Sequence, residues 1–291
     1  MPTANWESDV RVLLVPNLAN ERAVAAASEI AGWLVGEGFD TVLADEDAVG
    51  CGMPELGIPA SEIGEPGLVV SLGGDGTILK AVHLLGQTSV PILGVNYGRR
   101  GFMTGASPDS LQDSVATALA GEGRVERRAT LEASVVMDGR EVGRYRALNE
   151  VFVGRGGTGR VIDVELSVSG VVLMRPACDG VIVATATGST AYALSAGGPV
   201  VSPEVDCAVV VPVAPHTLSA RPIVVGAADV VTIALPNPKR ADSCVSVDGY
   251  QTPCRRTVEH VTVRQCDDDV LLVKVDGRDF HELVRDEFFG G

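Results

Sequence analysis

Residues Leu68–Lys80 read LVVSLGGDGTILK, and the fold of the N-terminal half turns on how they are taken. Leu68–Leu72 is a short run of apolar and β-branched residues, the pattern of a strand buried on both faces of a parallel sheet. Gly73, Gly74 and Gly76 follow at once, with Asp75 among them and Thr77 next. From Ile78 to Leu85 apolar residues recur at helical spacing. The stretch predicts a strand, a tight glycine loop and a helix start. The first N–H groups of a helix have no partner within it, and with the helix dipole they attract phosphate. Glycines let the backbone approach a phosphate with no Cβ in the way. A carboxylate in such a loop repels phosphate, so Asp75 needs a job. Two jobs fit: holding a metal ion, or accepting the proton of a hydroxyl that attacks a phosphoryl group. Gly-Gly and Asp-Gly also make ordinary turns; the flanking strand and helix favour the phosphate loop.

Working outward, Val10–Val15 and Thr41–Leu43 read as strands, and Asn20 as the cap of a helix running to about Gly36. Asp45–Pro66, acidic and broken by glycine and proline, reads as an irregular loop. Pro91–Val95 is a further strand, followed by NYGRRGF (Asn96–Phe102). Ser107 and Pro108 start a helix ending near Gly121. Alternating strands and helices predict an open parallel α/β sheet with ligands beyond the strand C-termini. The texture changes near Arg124. Short β-type runs then alternate with the turn pairs Asp138-Gly139, Ser169-Gly170 and Asp248-Gly249. The expected fold is therefore α/β: an open parallel α/β sheet domain over residues 1–124, completed by a returning segment 274–291, and a β-rich, sandwich-like second domain over 125–273.

The chain has 291 residues, 23 basic and 38 acidic, for a formal net charge of −15. That length suits two domains, or one large one, with a sizeable core. The acidic balance argues against nucleic acid and against an anionic membrane surface as partners. No apolar run is long enough to span a bilayer, and the first residues, MPTANWESDV, do not read as a secretory signal. The six cysteines are scattered, with no CxxC and no histidine at zinc spacing. Free thiols, a reducing cytoplasmic setting and no structural metal site are expected.

A second informative stretch is DGVIVATATGSTAY, Asp179–Tyr192. A strand runs into small and hydroxyl residues up to Thr190, and a helix begins through Ala191–Ala196. Such hydroxyls and amides can bind ribose and phosphate, and Tyr192 can offer a ring face to a base. The same residues also make an ordinary capped helix with a core tyrosine. The pair Asn149-Glu150 can bind an amide or a ribose diol, or only close a hairpin. Lys80, Arg99 and Arg100 are candidate phosphate contacts beside the loop.

Taken together, LGGDGTILKA, GVNYGRRGFMT, LNEV, DGVIVATATGSTAYALSAGGPVVSP and PHTLSARP resemble the NAD kinase family, over roughly Leu68 to Pro222. GGDGT alone is shared with lipid kinases; the TGSTAY stretch is far more specific. The resemblance implies an α/β domain joined to a β-rich NAD-binding domain, and phosphorylation of the 2′-hydroxyl of the adenosine ribose of NAD to give NADP. ATP or polyphosphate would be the donor, with magnesium or another divalent metal, and the assembly a homodimer or homotetramer. It also implies roles. Asp75 would be the base, with Gly74, Gly76 and Thr77 along the phosphates and Phe102 on the adenine. Asn149 and Glu150 would hold ribose hydroxyls, Asp179 the nicotinamide half, and Thr190, Ala191, Tyr192 and Ser195 would line the pocket. No residue is assigned as a metal ligand. The chain departs from the family at Arg100, Ala186 and Ala220. The rival readings are a lipid kinase with the same loop and a non-catalytic NAD-sensing module.

Overall fold

The structure, a computed structural model, describes residues 10–86, 89–98, 101–157, 159–238, 242–253, 258–275 and 279–290. The chain forms two compact units, one comprising the residues up to Arg127 and those from Val270 on, the other Arg128–Asp269.

The first unit is built on a seven-stranded sheet. Its order is Gly57–Ile58, Asp40–Ala44, Arg11–Pro16, Leu68–Gly73, Pro91–Asn96, Val270–Lys274 and Arg124–Arg128. The five pairings from the first of these strands to Val270–Lys274 are parallel. The strand Leu68–Gly73 is buried along its whole length, as its unbroken apolar run requires. On one face Leu14, Val70 and Leu93 pack under Ala23, Ala27, Ile30 and Leu34 of the helix Glu21–Gly36 and under Val115 of the helix Leu111–Leu119. Asn20 caps the first of these helices through Arg22 N–H at 3.0 Å and Ala23 N–H at 3.3 Å.

Two expectations are corrected here. Val270–Val273, assigned above to the second domain, belong to the strand Val270–Lys274, which pairs parallel with Pro91–Asn96 in the first sheet, and its apolar sequence VLLVK is that of a strand covered on both faces. Asp45–Pro66, expected to be an irregular loop, holds a helical turn (Asp45–Gly50), two 3-10 turns and the edge strand Gly57–Ile58. The turn buries Asp47 and Ala48, and burial stabilises it where glycine and proline punctuation hides it from a local reading.

The second unit is a sandwich of two six-stranded sheets with antiparallel pairing. Leu131–Met137 alternates buried and half-buried residues, placing Ala133 and Val135 in the shared core with Val151, Val153, Val181, Val183 and Val210 of the other sheet. Gly180–Thr185 does not alternate, because Ile182 and Ala184 on its other face are covered in turn, with Ala193, Val209 and Val211. The three turn pairs hold positive φ at both residues: 49° and 70° at Asp138-Gly139, 47° and 82° at Ser169-Gly170, and 49° and 80° at Asp248-Gly249. These are the values of two-residue hairpin turns. No helix among the described residues is long and apolar enough to cross a membrane.

Candidate active site

In the first unit the chain leaves Arg11–Pro16 toward Asp40–Ala44 on one side and returns to Leu68–Gly73 on the other. The strand order reverses between Arg11–Pro16 and Leu68–Gly73, which opens a crevice at their C-terminal ends. The segment after Pro16 and the glycine loop after Gly73 line it, joined by Asn17 N–H donating to Leu72 O at 2.9 Å. The helix Asp75–Leu85 starts there with Gly74 as its cap and no side chain closing its N-terminus. A Cβ at Gly74 or Gly76 would meet only open space, so packing does not require these glycines; they leave the helix start bare. Thr77 turns inward and is buried.

Asp75 stands in the first turn of that helix, and its side chain is oriented by the segment after Pro91–Asn96. Oδ2 accepts from Phe102 N–H at 2.9 Å and Oδ1 from Met103 N–H at 3.1 Å. A side chain at Gly101 would collide with this carboxylate. The segment is itself pinned: the buried Lys274 donates from Nζ to Met103 O at 3.0 Å and Thr104 O at 2.7 Å. The Phe102 ring stacks against Phe288 at 6.0 Å and lies 5.9 Å from Phe280, both in the helical C-terminal segment. That segment is capped by Asp279, whose side chain accepts from His281 N–H.

Lys80 is engaged elsewhere. Its ammonium pairs with Asp47, whose side chain is 2% exposed against 35% for the lysine. The expected phosphate contact is therefore the partner of a buried carboxylate in this structure. Arg99 and Arg100 lie outside the described residues. No group of three or more His, Cys, Asp or Glu among the described residues is placed to hold a metal ion.

In the second unit Asn149 and Glu150 stand at the start of the strand Glu150–Arg155, against the end of Gly180–Thr185. Thr185 donates its N–H to Asn149 O at 2.9 Å and its Oγ1 hydrogen to Leu148 O at 2.6 Å. Gly188 lies against Asn149 O so closely that any Cβ would collide with it. Glu150 is 7% exposed. Burial, and then the charge of Asp248, push its carboxyl up to about 7, opposed by a hydrogen bond from the Tyr192 backbone. Its Oε2 is buried with no hydrogen-bond partner. That backbone bond joins the Asn-Glu pair to the short helix Tyr192–Ser195. Tyr192 is 40% exposed, and its ring meets Phe152 edge-on at 5.4 Å; the core reading of this tyrosine does not hold. Thr190 Oγ1 donates to Thr187 O at 3.3 Å, and Ser195 is exposed on the short helix after Ala191.

Asp179 is not with this group. Ala184 pairs with Glu150 and Gly180 with Gly154, so Asp179 lies five residues back along its strand, about 17 Å from the Asn-Glu end at strand rise. It forms an ion pair with Arg155 at 2.9 Å. Asp248 and Lys274 escape the sequence reading. Each acts on backbone groups about 100 residues or more away in sequence, and no local pattern encodes such a partner.

Comparison with known proteins then decides the family. Residues 12–123 match the ATP-NAD kinase N-terminal domain and 148–275 the ATP-NAD kinase C-terminal domain. The chain belongs to the NAD kinase family. It is 38% identical to the NAD kinase of Chromohalobacter salexigens, covering 94% of each chain. It is also 38% identical to that of Symbiobacterium thermophilum, over 95% of this chain and 98% of the relative. A yeast NADH kinase solved with NADH superposes with a TM-score of 0.85 at 25% identity, covering 98% of this chain and 88% of that one. An NAD kinase from Archaeoglobus fulgidus solved with ATP gives 0.73 at 29%, covering 94% and 96%. As an NAD kinase the chain is a phosphotransferase; these likenesses lend no support to a lipid kinase or a non-catalytic sensor.

Proposed function

We propose that this chain transfers the γ-phosphoryl group of ATP to the 2′-hydroxyl of the adenosine ribose of NAD, with Asp75 as the base. The observation that carries the reading is the carboxylate held by two backbone amides at an open helix start, beyond the strand ends where the sheet order reverses. A bond forms between the ribose oxygen and the γ-phosphorus, the bond from that phosphorus to the β,γ-bridging oxygen breaks, and ADP leaves. The hydroxyl proton passes to Asp75. Gly74, Gly76 and Thr77 offer the bare helix start to phosphate. Asn149, Glu150 and Tyr192 bind the dinucleotide, with Thr190, Ala191 and Ser195 beside them; Phe102 and Asp179 are further candidate contacts.

A divalent ion, magnesium first, would be carried on the donor's phosphates, where it would offset their charge against Asp75. Polyphosphate is a second candidate donor, a homodimer or homotetramer the proposed assembly, and the cytoplasm the proposed setting. The described cysteines Cys51, Cys178, Cys207, Cys244 and Cys266 are free, which suits a reducing compartment. The test is direct: purified chain, NAD, ATP and magnesium, with NADP read by an NADP-specific dehydrogenase. NADP formation that Asp75→Asn slows by roughly 10²–10⁴-fold supports the reading, and no NADP from the folded wild-type chain overturns it.

A further inference from the structure

Asp248 belongs to the turn Asp248-Gly249, and a turn asks for its backbone conformation alone. Here its side chain is committed as well. It is 6% exposed, and its two oxygens accept three consecutive backbone N–H groups. Oδ2 takes Leu148 at 2.8 Å, and Oδ1 takes Asn149 at 2.7 Å and Glu150 at 3.0 Å. The N–H of Asp248 donates back to Glu150 O at 2.9 Å. On the other side Thr185 holds the carbonyls of Leu148 and Asn149. The backbone of 148–150 is thus gripped through both its donors and its acceptors. Bonds from N–H groups to a carboxylate are about twice as strong as neutral ones. A carboxamide at this place would offer one acceptor and turn N–H donors toward N–H donors.

The grip leaves two side chains for other work. The half-buried Asn149 side chain bonds no described residue, and Glu150 has one buried oxygen without a partner. Side chains that leave a rigidly held backbone with unmet hydrogen-bonding capacity are organised for a ligand.

We propose that Asp248 is the positioning residue of the Asn149-Glu150 pair, setting through the backbone the direction from which both side chains meet the dinucleotide while touching none of it. The proposal rests on the reading that Asn149 and Glu150 bind NAD. A turn residue with a structural role alone would alter stability and leave substrate constants in place.

The experiment measures NAD and ATP KM and kcat for Asp248→Asn, Asn149→Ala, Glu150→Ala and the double variants, with folding checked by circular dichroism. Folded Asp248→Asn is expected to raise the NAD KM about tenfold or more, as expected for losing one good charged contact. The ATP KM and the kcat at saturating NAD should stay within about threefold. In the Glu150→Ala or Asn149→Ala background the same change should have a much smaller effect, since neighbours in one network are not additive. A wild-type NAD KM in folded Asp248→Asn overturns the proposal. So does a rise that is fully additive with both alanine variants. If Asp248→Asn does not fold, Asp248→Glu, which keeps the charge and displaces the oxygens, decides on the same two readouts. Wild-type NAD KM in both single alanine variants removes the underlying site reading, and the proposal with it, and is recognised before Asp248 is changed.

Discussion

Asp75 and Glu150 are both carboxylates at the ends of buried strands, and the two units treat them in opposite ways. Asp75 stands at a helix start with both oxygens taken by backbone amides. Glu150 is nearly enclosed and bonded to the Tyr192 amide, with one oxygen unpartnered and a second carboxylate, Asp248, close by. One amide bond on each oxygen orients the first and leaves lone pairs free at a set place. Burial, and then the charge of Asp248, makes the second costly to ionise, and one of its oxygens is left without a partner. On the proposed reading, the difference separates the group that takes a proton from the group that binds.

The largest effect belongs to Asp75. Asp75→Asn preserves shape and removes basicity, so kcat should fall by roughly 10²–10⁴-fold, about 3–5 kcal/mol of barrier, with NAD affinity little changed. Steady-state kinetics and calorimetry read the two quantities separately. Near-normal kcat at saturating ATP means that Asp75 is not the base, and an altered magnesium dependence instead makes it a metal contact.

Glu150 supplies the pH-dependent half of the comparison. Its native pKa is raised from 4.5 to about 7. Between those values the native state keeps a proton that the unfolded chain has released, so folding stability falls as pH rises through this window. Glu150→Gln carries no such penalty. The variant should gain on wild type from pH 4.5 upward, by an amount on the order of 3 kcal/mol above pH 7. Urea unfolding at pH 5 and pH 8 reads it, and a gap that does not vary with pH would mean that Glu150 is ionised at little cost.

Lys80→Met strips the partner from buried Asp47 in the first unit. A loss of about 1–3 kcal/mol in stability is expected, as for a buried group left unsatisfied, with the ATP KM unchanged. A raised ATP KM in a protein of wild-type stability would return Lys80 to the phosphate contacts. The smallest structural effect is expected at Tyr192. The residue is 40% exposed, so Tyr192→Ala should cost well under the roughly 3–5 kcal/mol of a core aromatic truncation while raising the NAD KM. A large drop in melting temperature with an unaltered KM reverses that assignment and makes the second unit's tyrosine part of the core.

Local patterns were enough for the strand–loop–helix at Leu68–Lys80, the Asn20 cap and the three hairpin turns, because backbone sterics, capping and side-chain period act within a few residues. The motifs, once matched, were enough for the family as well. Tertiary structure alone decided four things: that Val270–Lys274 completes the first sheet, that Lys80 serves Asp47, that Lys274 steadies the segment holding Asp75, and that Asp248 holds the backbone of 148–150. Each joins groups tens to more than a hundred residues apart in sequence. Such bonds form only after burial has excluded water as the competing partner, and burial is a property of the folded chain that no short stretch of it carries.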